Sequence, residues 1–407
     1  MVPQNKKEVD TLQRQIGTVA RGVRSPIIRE NDDLVEIVVD SVLNAAKNHG
    51  YDIRNHDVIG VTESILARAQ GNYASLDTIA KDVAHKLGTD TVAVIFPILS
   101  RNRFASILQG ISRAVGKVVL VFKYPSDEVG NPLVDVDLLD KSGINPYQDT
   151  LDLPTFRKYF GISTHPFTNM DYVAYYQSIV ESENAECEII FSNQPESALK
   201  FTDNILTADI HTYKRTQSIL KKAGAQNVWG LADILTSSID GEGYNEAYGL
   251  LGANKASEET IKLFPRDGET FVHDVQKVIF DRTNKQVEVL VYGDGAFKDP
   301  VGKIWELADP TVAPYYTVGL EGTPNEIKLK YLADNQGKDM NPSDLRAYVK
   351  SEIDNKSNND DQDKRLGTTP RRLTDLIGSL CDLTSGSGDK GTPIVHIQGY
   401  FDSYVDE

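Results

Sequence analysis

The residue best placed for chemistry is an aspartate between two glycines, Asp294 in Gly293-Asp294-Gly295, with Lys298 and Asp299 following on the same loop. The apolar run just before it, Val289 to Val291, is typical of a buried strand. Glycines at a strand end let a ligand or a neighbouring backbone approach closely. Clefts beyond strand ends are where α/β proteins tend to hold phosphates and metal ions. Two interpretations stay open: a functional carboxylate, or an acidic turn whose glycines serve only its geometry.

Two other loops could bind an anion. The first, Glu63 to Gly71, follows a strand-like run and combines a hydroxyl, a carboxylate and an arginine. A plain loop or a short helix explains this segment equally well. The second, Thr384 to Gly391, is rich in glycine and serine, so its successive N–H groups could wrap anion oxygens while Lys390 adds charge. It lacks the Walker spacing Gly-x-x-x-x-Gly-Lys-Ser/Thr, and a flexible loop is the alternative.

Periodic patterns indicate the elements that position these loops. Apolar residues recur at helical spacing from Leu34 to Ala45, and Gly50 is the expected end of that helix. Strand and helix patterns alternate from Thr91 to Leu231, which predicts a parallel α/β unit. Segments 140–167 and 310–322 show little period and are predicted to be loops.

Composition and charge limit the class of protein. The 407 residues are enough for two domains or for one domain with a large insertion. The formal net charge of −16 argues against a nucleic-acid backbone as the main partner, because phosphate binding along a duplex needs a basic surface. No apolar run is long enough to span a bilayer. The two cysteines, Cys187 and Cys381, form no disulfide or zinc pattern, and the polar start is no secretory signal, so a cytoplasmic protein is expected.

Five separated segments, in order, resemble one family: the γ-glutamyl ligase of the deazaflavin coenzyme F-420. They are similar to the family's opening loop, its strand with a basic turn, its Ala-Asn-Ala-Gly-x-Asp-x-x-Asn segment, its leucine-proline turn with helix, strand and Asp-Thr-Phe-Gly-Arg stretch, and its closing helix, glycine-rich turn and strand. The matching segments are Pro26 to Leu34, Asp57 to Gly71, Gly249 to Glu259, Leu263 to Asp299 and Leu373 to Tyr400. None is very specific alone, but five in the same order are hard to obtain by chance.

The resemblance implies a mixed α+β and α/β fold in three parts. A γ-glutamyl-ligase-like core is expected from residues 1–97 and 241–407. Residues 98–240 have no counterpart in the family and are predicted to form an inserted α/β subdomain. Residues 354–363 are almost entirely Asn, Asp and Lys, so a mobile surface loop is expected near 354–366. The family's dimeric habit implies a homodimer.

The resemblance also implies a reaction. In the family, GTP drives amide formation between a carboxylate and glutamate with divalent metal ions, so GTP or ATP and Mg or Mn are expected here. The acceptor carboxylate would take the γ-phosphoryl group and become an acyl phosphate, and an amine would then displace phosphate. The expected partners are therefore a small carboxylate acceptor, an amino acid and a nucleotide, with no nucleic acid and no membrane. The insertion is expected to reshape the acceptor pocket, so the acceptor is predicted to differ from the coenzyme.

Site residues follow from the same match. Asp294 falls on the family's metal-binding aspartate and, with Lys298, is a predicted catalytic residue. Glu258 falls on the other metal carboxylate, and Asp299 is a further predicted metal ligand, since carboxylate oxygens suit Mg and Mn. The predicted nucleotide-contacting residues are Pro26, Ile27, Ile28, Arg29, Ser64, Arg68, Ser387, Gly388, Lys390 and Gly391.

Departures from the family pattern keep two other interpretations open. The departures are Gly295 for a metal-binding threonine, Ile261 for a nucleotide-contacting asparagine, Glu258 for an aspartate and Arg68 for a lysine. The departures at Gly295 and Ile261 favour a non-catalytic nucleotide- or metabolite-binding protein on the same scaffold as the alternative to a ligase. A third interpretation places the chemistry wholly in the inserted segment, which offers only the scattered Asp127, Asp209 and His211.

Overall fold

The protein is described by a computed structural model that covers residues 15–165, 168–294, 311–356, 371–385 and 389–403. Helices and strands are both abundant, and the sheets contain parallel and antiparallel pairs. The mixed α and β fold that the sequence predicts is therefore confirmed.

The strands are β1 (Val19–Val23), β2 (Val58–Thr62), β3 (Tyr73–Ser75), β4 (Thr91–Ile95), β5 (Lys117–Phe122), β6 (Leu151–Asp152), β7 (Glu186–Phe191), β8 (Asn204–Thr207), β9 (Asn227–Gly230), β10 (Asn254–Lys255), β11 (Thr260–Lys262), β12 (Glu288–Asp294), β13 (Thr311–Tyr316) and β14 (Ile394–Gln398). The helices are α1 (Leu34–His49), α2 (Glu63–Ala69), α3 (Leu76–Leu87), α4 (Phe104–Arg113), α5 (Val136–Ser142), α6 (Leu153–Phe160), α7 (Tyr172–Ser182), α8 (Tyr213–Lys222), α9 (Gly268–Thr283), α10 (Leu329–Asp334), α11 (Pro342–Asp354) and α12 (Leu373–Ser385).

The first sheet has five strands in the order β1-β14-β2-β12-β13. β2 and β12 run parallel at its centre, and the other neighbouring pairs are antiparallel. Successive side chains of a strand point to opposite faces. Ile59 and Val61 accordingly pack on one face, with α1 and α9, whereas Val58 packs on the other with Ile377 of α12. Packing on both faces holds β2 and β12 in position, and with them the segments that follow their carboxyl ends.

Helix α1 confirms the sequence prediction at both ends. The Asp33 side chain accepts a hydrogen bond from the backbone N–H of Glu36 at 3.2 Å, which caps the first turn. Gly50 ends the helix with φ +68°, a left-handed conformation that a glycine adopts without strain. Residues such as Val38 and Val42 are fully buried between these ends.

The second sheet has six strands in the order β6-β7-β5-β4-β8-β9, and β6 alone is antiparallel to its neighbour. The chain builds β4, β5 and β7 outwards in one direction and then returns to add β8 and β9 beside β4. The parallel α/β unit predicted from the alternating patterns is therefore present, and it runs from Thr91 to Gly230. The predicted domain boundaries at residues 97 and 240 stay predictions.

A third, small sheet has the order β10-β11-β3. Its strands belong to the segments that lie between the two larger sheets in the sequence. Ala74 of β3 and Ile261 of β11 face each other and are buried in the same core cluster as the helix α3 residues Ile79 and Val83. The small sheet thus carries residues 254–262 to the position where β2 and α2 meet.

Two loop predictions are wrong. Segment 310–322 contains strand β13, which pairs with β12 at the sheet edge. Segment 140–167 contains the end of α5, then β6 and α6. A signal for α6 was present: Asp152 caps it by accepting from the N–H of Thr155 at 2.9 Å, and a proline stands in its first turn.

Within the described ranges, none of the helices is both long enough and apolar enough to cross a bilayer.

Candidate functional site

A cleft of about 1240 Å³ opens at the carboxyl ends of the parallel strands β2 and β12. Thr62 and Gly293 mark those two ends, and the residues Tyr292 and Thr62 are paired across them. The walls come from the loop before α1, from helix α2, from residues 254–262 and from the turn before β14. Segments that are far apart in the sequence and that were predicted to contact a nucleotide therefore meet at one place.

The loop Pro26 to Arg29 forms one wall of the cleft. Ile28 anchors it in the core at 3% exposure, whereas Ile27 is 82% exposed. The backbone N–H of Arg29 donates to the Asp32 carboxylate at 2.6 Å, which tightens the turn into α1. All four predicted residues of this loop line the cleft, and the Arg29 side chain is exposed.

Helix α2 forms the adjacent wall. It starts directly after β2, so the residues that follow the strand end turn into the cleft rather than continue the sheet. Ser64 and Arg68, four residues apart, lie on the same side of the helix, are exposed and line the cleft. The segment is a short helix, and it presents a hydroxyl and a guanidinium to the cleft. Its contact with phosphate stays a prediction.

The turn before β14 closes the cleft from the C-terminal side. Gly391 has φ +64°, and its carbonyl oxygen accepts a hydrogen bond from the backbone N–H of Ser25 at 3.3 Å. This bond ties the turn to the opening loop. Gly391 lines the cleft, whereas Lys390 is exposed and is not among the lining residues. Ser387 and Gly388 lie outside the described residues.

Sequence reasoning missed a buried ion pair in the cleft. The ammonium of Lys262 in β11 lies 2.9 Å and 3.1 Å from the two carboxylate oxygens of Glu63, the first residue of α2. The side chains are 10% and 6% exposed, and both residues line the cleft. The carboxylate after β2 was visible in the sequence, but its partner lies 199 positions away, and nothing local predicts that pairing.

Strand β12 brings Gly293 and the backbone of Asp294 to the cleft edge. Gly293 lines the cleft. The next residue is the predicted catalytic Asp294, so its backbone lies at the edge of the cleft. The described range 168–294 ends with the backbone of Asp294, and the predicted residues Lys298 and Asp299 lie outside the described residues. The roles of these three side chains stay predictions.

The predicted metal ligand Glu258 lies in an exposed turn outside the cleft lining. Its side chain is 87% exposed and forms an ion pair with Lys255 at 2.7 Å. Within the ranges that the structure describes, no group of three His, Cys, Asp or Glu side chains could hold a metal ion. The described residues thus do not fit a metal ion by themselves, and the predicted metal site depends on Asp294 and Asp299.

The lining residues do fit a polyphosphate. Arg29, Arg68, Lys255 and Lys262 supply positive groups, and Ser64 supplies a hydroxyl. Guanidinium and ammonium groups are the usual donors to phosphate oxygens. The cleft is thus suited to a phosphorylated or carboxylated small molecule.

Ile261 does not occupy the nucleotide-facing position that the family match gives it. Its side chain is fully buried in the core, while its neighbours Thr260 and Lys262 line the cleft. This is the alternation expected of a strand with one face in the core. An apolar residue at position 261 is therefore compatible with a nucleotide in the cleft.

Polar residues of the inserted sheet form a second cluster, at the carboxyl ends of β5 and β8. The Glu128 carboxylate accepts hydrogen bonds from the backbone N–H groups of Ile210 and His211. The Thr212 hydroxyl lies 3.2 Å from Glu128 Oε2 and 2.6 Å from Asp209 Oδ2. Burial raises the pKa of both carboxyls, and the charge of Asp209 raises the pKa of Glu128 further. These contacts hold the loop that leads into α8.

The Asp127 carboxylate has a structural role in its loop. Its carboxylate accepts from the backbone N–H groups of Leu99 at 2.8 Å, Val129 at 3.0 Å and Asn131 at 2.8 Å. Since this carboxylate orders its own turn and joins it to the segment at Leu99, the third interpretation, with the chemistry in the insertion, gains no support from it.

A protein-family model matches this chain. No curated protein matches the chain. The family model described as F420-0:Gamma-glutamyl ligase matches residues 22–399, nearly the whole chain, and this range includes every wall of the cleft. The chain therefore belongs to the F420-0:γ-glutamyl ligase family.

Proposed function

We propose that this protein is a nucleoside-triphosphate-dependent ligase that forms an amide of the γ-glutamyl type in the cleft at the ends of β2 and β12. The observation that carries the proposal is the convergence of the predicted segments. The opening loop, helix α2, the end of β12 and the turn at Gly391 all line one cleft, whose lining includes four cationic side chains and three carboxylates. Family membership supports the reaction class.

The reaction needs two displacements. An oxygen of the acceptor carboxylate attacks the γ-phosphorus of GTP or ATP, and the nucleoside diphosphate leaves. The nitrogen of an amino acid such as glutamate then attacks the acyl carbon, phosphate leaves, and the nitrogen loses a proton. Positioning and charge neutralisation are what a protein contributes to such transfers. In this proposal Arg29 and Arg68 contact phosphate oxygens and the Ser64 hydroxyl donates to them, which is supported by the position of all three residues in the cleft lining.

A divalent ion, Mg or Mn, would add charge neutralisation at the phosphates if Asp294 and Asp299 bind it. The proposal gives Asp294 this role because it follows Gly293 at the cleft edge. Lys298, on the same loop, would supply a further cation. The work of the described residues, which is binding and orienting anionic groups, does not depend on the identity of the ion.

The acceptor in this proposal is a small carboxylate other than the deazaflavin coenzyme. The inserted sheet from Thr91 to Gly230 supports this, because an added unit of that size next to the small sheet changes the surroundings of residues 254–262. We also propose a cytoplasmic location and a homodimer, by analogy with the family.

A second candidate function is binding without turnover. It is favoured by Gly295 in place of the metal-binding threonine and by the lack of a three-ligand metal group within the described ranges. Such a protein would be stabilised by nucleotide according to mass action but would release no phosphate with any acceptor.

The test is phosphate release from GTP and from ATP, with Mg or Mn, over a panel of carboxylates and amines. The ligase predicts release that requires both the acceptor and the amine, together with formation of the amide. Asp294→Ala should lower the rate at least about a hundredfold, the scale for removing a group that stabilises transition-state charge. The matched control is Asp274→Ala, on the exposed side of α9, which should leave the rate unchanged. Full activity of Asp294→Ala would reject the site.

A further inference from the structure

The buried ion pair Glu63–Lys262 is placed where substrate must pass. Both residues line the cleft, although their side chains are only 6% and 10% exposed. Removing two charges from water costs several kcal/mol per ion, and a hydrophobic pair of the same volume is often at least as stable. A buried pair is therefore weak as a device for stability, and its position in a cleft points to a use of the charge.

The hydrogen-bond donors of Lys262 are not all used within the described part of the protein. An ammonium has three N–H donors. Those of Lys262 have one partner group among the described residues, the Glu63 carboxylate, whose oxygens lie at 2.9 Å and 3.1 Å. One donor therefore remains for a group in the cleft.

A second buried lysine in the same chain shows the contrast. Lys86 lies 2.6 Å from the Asp82 carboxylate, and the two side chains are 15% and 5% exposed. Its remaining donors are directed within the protein, to the carbonyl oxygen of Asp233 at 2.6 Å and towards the ring of Trp229 at 5.9 Å. Neither Lys86 nor Asp82 lines the cleft. Lys86 is thus a structural lysine, whereas Lys262 combines a similar burial with a donor to spare.

The pair also lies directly beside the strand end that carries Asp294. A Cβ atom on Gly293 would stand 2.2 Å from Cγ of Glu63, so the Glu63 side chain passes against the backbone of β12. The position of Glu63 fixes the position of Lys262. The ammonium is therefore held close to the point where the sequence places the reacting groups.

We propose that Lys262 is an anion-binding residue of this cleft and that Glu63 is the positioning residue that holds its ammonium. The proposal rests on the proposed ligase function and names one of its substrate contacts. The bound group is an oxyanion, either the terminal phosphate of the nucleotide or the carboxylate of the acceptor, because both present negatively charged oxygens to the spare N–H donor. Glu63 keeps the flexible lysine chain in one conformation, so the ammonium is in place before substrate arrives.

The experiment measures binding of two probes by isothermal titration: inorganic tripolyphosphate for the phosphate source and glutarate for the carboxylate source. Lys262→Met alone would leave a buried carboxylate without its partner, so the main variant is Glu63→Gln/Lys262→Met, which removes both charges. Glu63→Gln alone keeps the ammonium. The matched control is Asp82→Asn/Lys86→Met, which removes the structural pair outside the cleft.

We expect the wild type and the Asp82→Asn/Lys86→Met control to bind the same probe with equal affinity. Glu63→Gln keeps the ammonium but holds it less firmly, so it should bind the probe more weakly than the wild type and more tightly than the double variant. The Glu63→Gln/Lys262→Met variant should bind it about tenfold to a hundredfold more weakly than the wild type, the range for one charge-assisted hydrogen bond. The probe that is affected identifies the source of the anion. A pair with a structural role alone would give Glu63→Gln and the double variant the same affinity, and this result would overturn the proposal. Lack of binding of both probes by the wild type would overturn it as well.

The outcome is separable from that of the proposed function. If anion binding depends on Lys262 but no acceptor supports phosphate release, the inference stands and the ligase proposal fails. If phosphate release occurs and the Glu63→Gln/Lys262→Met variant keeps the wild-type KM and kcat, the ligase proposal stands and the inference fails.

Discussion

The Glu63 side chain lies so close to the backbone of Gly293 that position 293 has no room for a Cβ atom. Such an atom would be 2.2 Å from Glu63 Cγ and 3.1 Å from Glu63 Cβ. The glycine before Asp294 is therefore explained by a packing contact with the first residue of α2, whichever role Asp294 has. The same contact joins the two segments of the cleft that follow the parallel strands β2 and β12.

Gly293→Ala should destabilise the protein. The clash involves Cγ, near the base of the Glu63 side chain, so the strand or the helix must shift, and overpacking of this kind costs about 1–3 kcal/mol. Urea denaturation of wild type and variant measures the change in the free energy of unfolding.

Two comparisons isolate the cause. In a Glu63→Ala/Lys262→Met background the Cγ atom is absent, and the added cost of Gly293→Ala should fall by more than half. Gly17→Ala, where no atom lies within 4 Å of the added Cβ, should change stability by no more than about 0.5 kcal/mol. An unchanged cost in the background without Cγ would show that the contact with Glu63 is not the reason.

Ile261→Asn should destabilise the protein rather than improve nucleotide binding. The family match places an asparagine here, but the Ile261 side chain is fully buried and packs in the core of the inserted unit. Burying an amide without partners and losing the apolar contacts should cost about 3 kcal/mol or more. Thr260→Asn, one residue away and facing the cleft, should cost about 1 kcal/mol or less. A stable Ile261→Asn variant with tighter nucleotide binding would contradict the placement of β11.

Local sequence patterns predicted the helices and strands whose apolar face and end signals can be read from their own residues. Helix α1 has a capping aspartate, a regular apolar face and a terminal glycine, and β2 is a continuous apolar run. Strand β13 was missed because its pairing with β12 at the sheet edge is a long-range contact, and a proline lies within it. The weak pattern of α6 hid a helix that its cap, Asp152, would have revealed.

The same limit applies to the site. Arg68, Ser64 and the opening loop were predicted from the resemblance to the family, and the structure shows that all of them line the cleft. The Glu63–Lys262 pair could not be predicted, because it depends on how the small sheet lies against α2. Ile261 was assigned to the cleft by aligning the sequence with the family pattern. Side chains alternate between the two faces of a strand, and the Ile261 side chain points into the core.

The buried cluster of the inserted sheet predicts how stability depends on pH. Burial, together with the charge of Asp209, raises the pKa of Glu128 above its ordinary 4.5 in the folded state, although Lys123 opposes this. A raised folded pKa contributes stability that is fully present below the unfolded value and is lost as pH rises through the folded value. The free energy of unfolding should therefore fall as pH rises above about 4.5 and through the raised pKa that Glu128 has in the folded protein.

Glu128→Gln removes this titration and keeps an oxygen that accepts from Ile210 and His211. Its stability should vary less with pH over that window, as measured by urea denaturation at a series of pH values. Glu246→Gln, at an exposed position, serves as the control and should retain the wild-type profile. A Glu128→Gln profile as steep as that of the wild type would assign the pH dependence to another group.

The most direct test of the central claim, that this cleft binds the nucleotide that drives ligation, is titration of the wild type and Arg68→Met with GTP and with ATP in the presence of Mg. The account predicts saturable binding of at least one nucleotide, weakened about tenfold in Arg68→Met because a guanidinium contact to phosphate is lost. Arg215→Met, on the exposed side of α8, should bind as the wild type does. Absence of saturable binding of both nucleotides, or equal affinities of wild type and Arg68→Met, would contradict the claim.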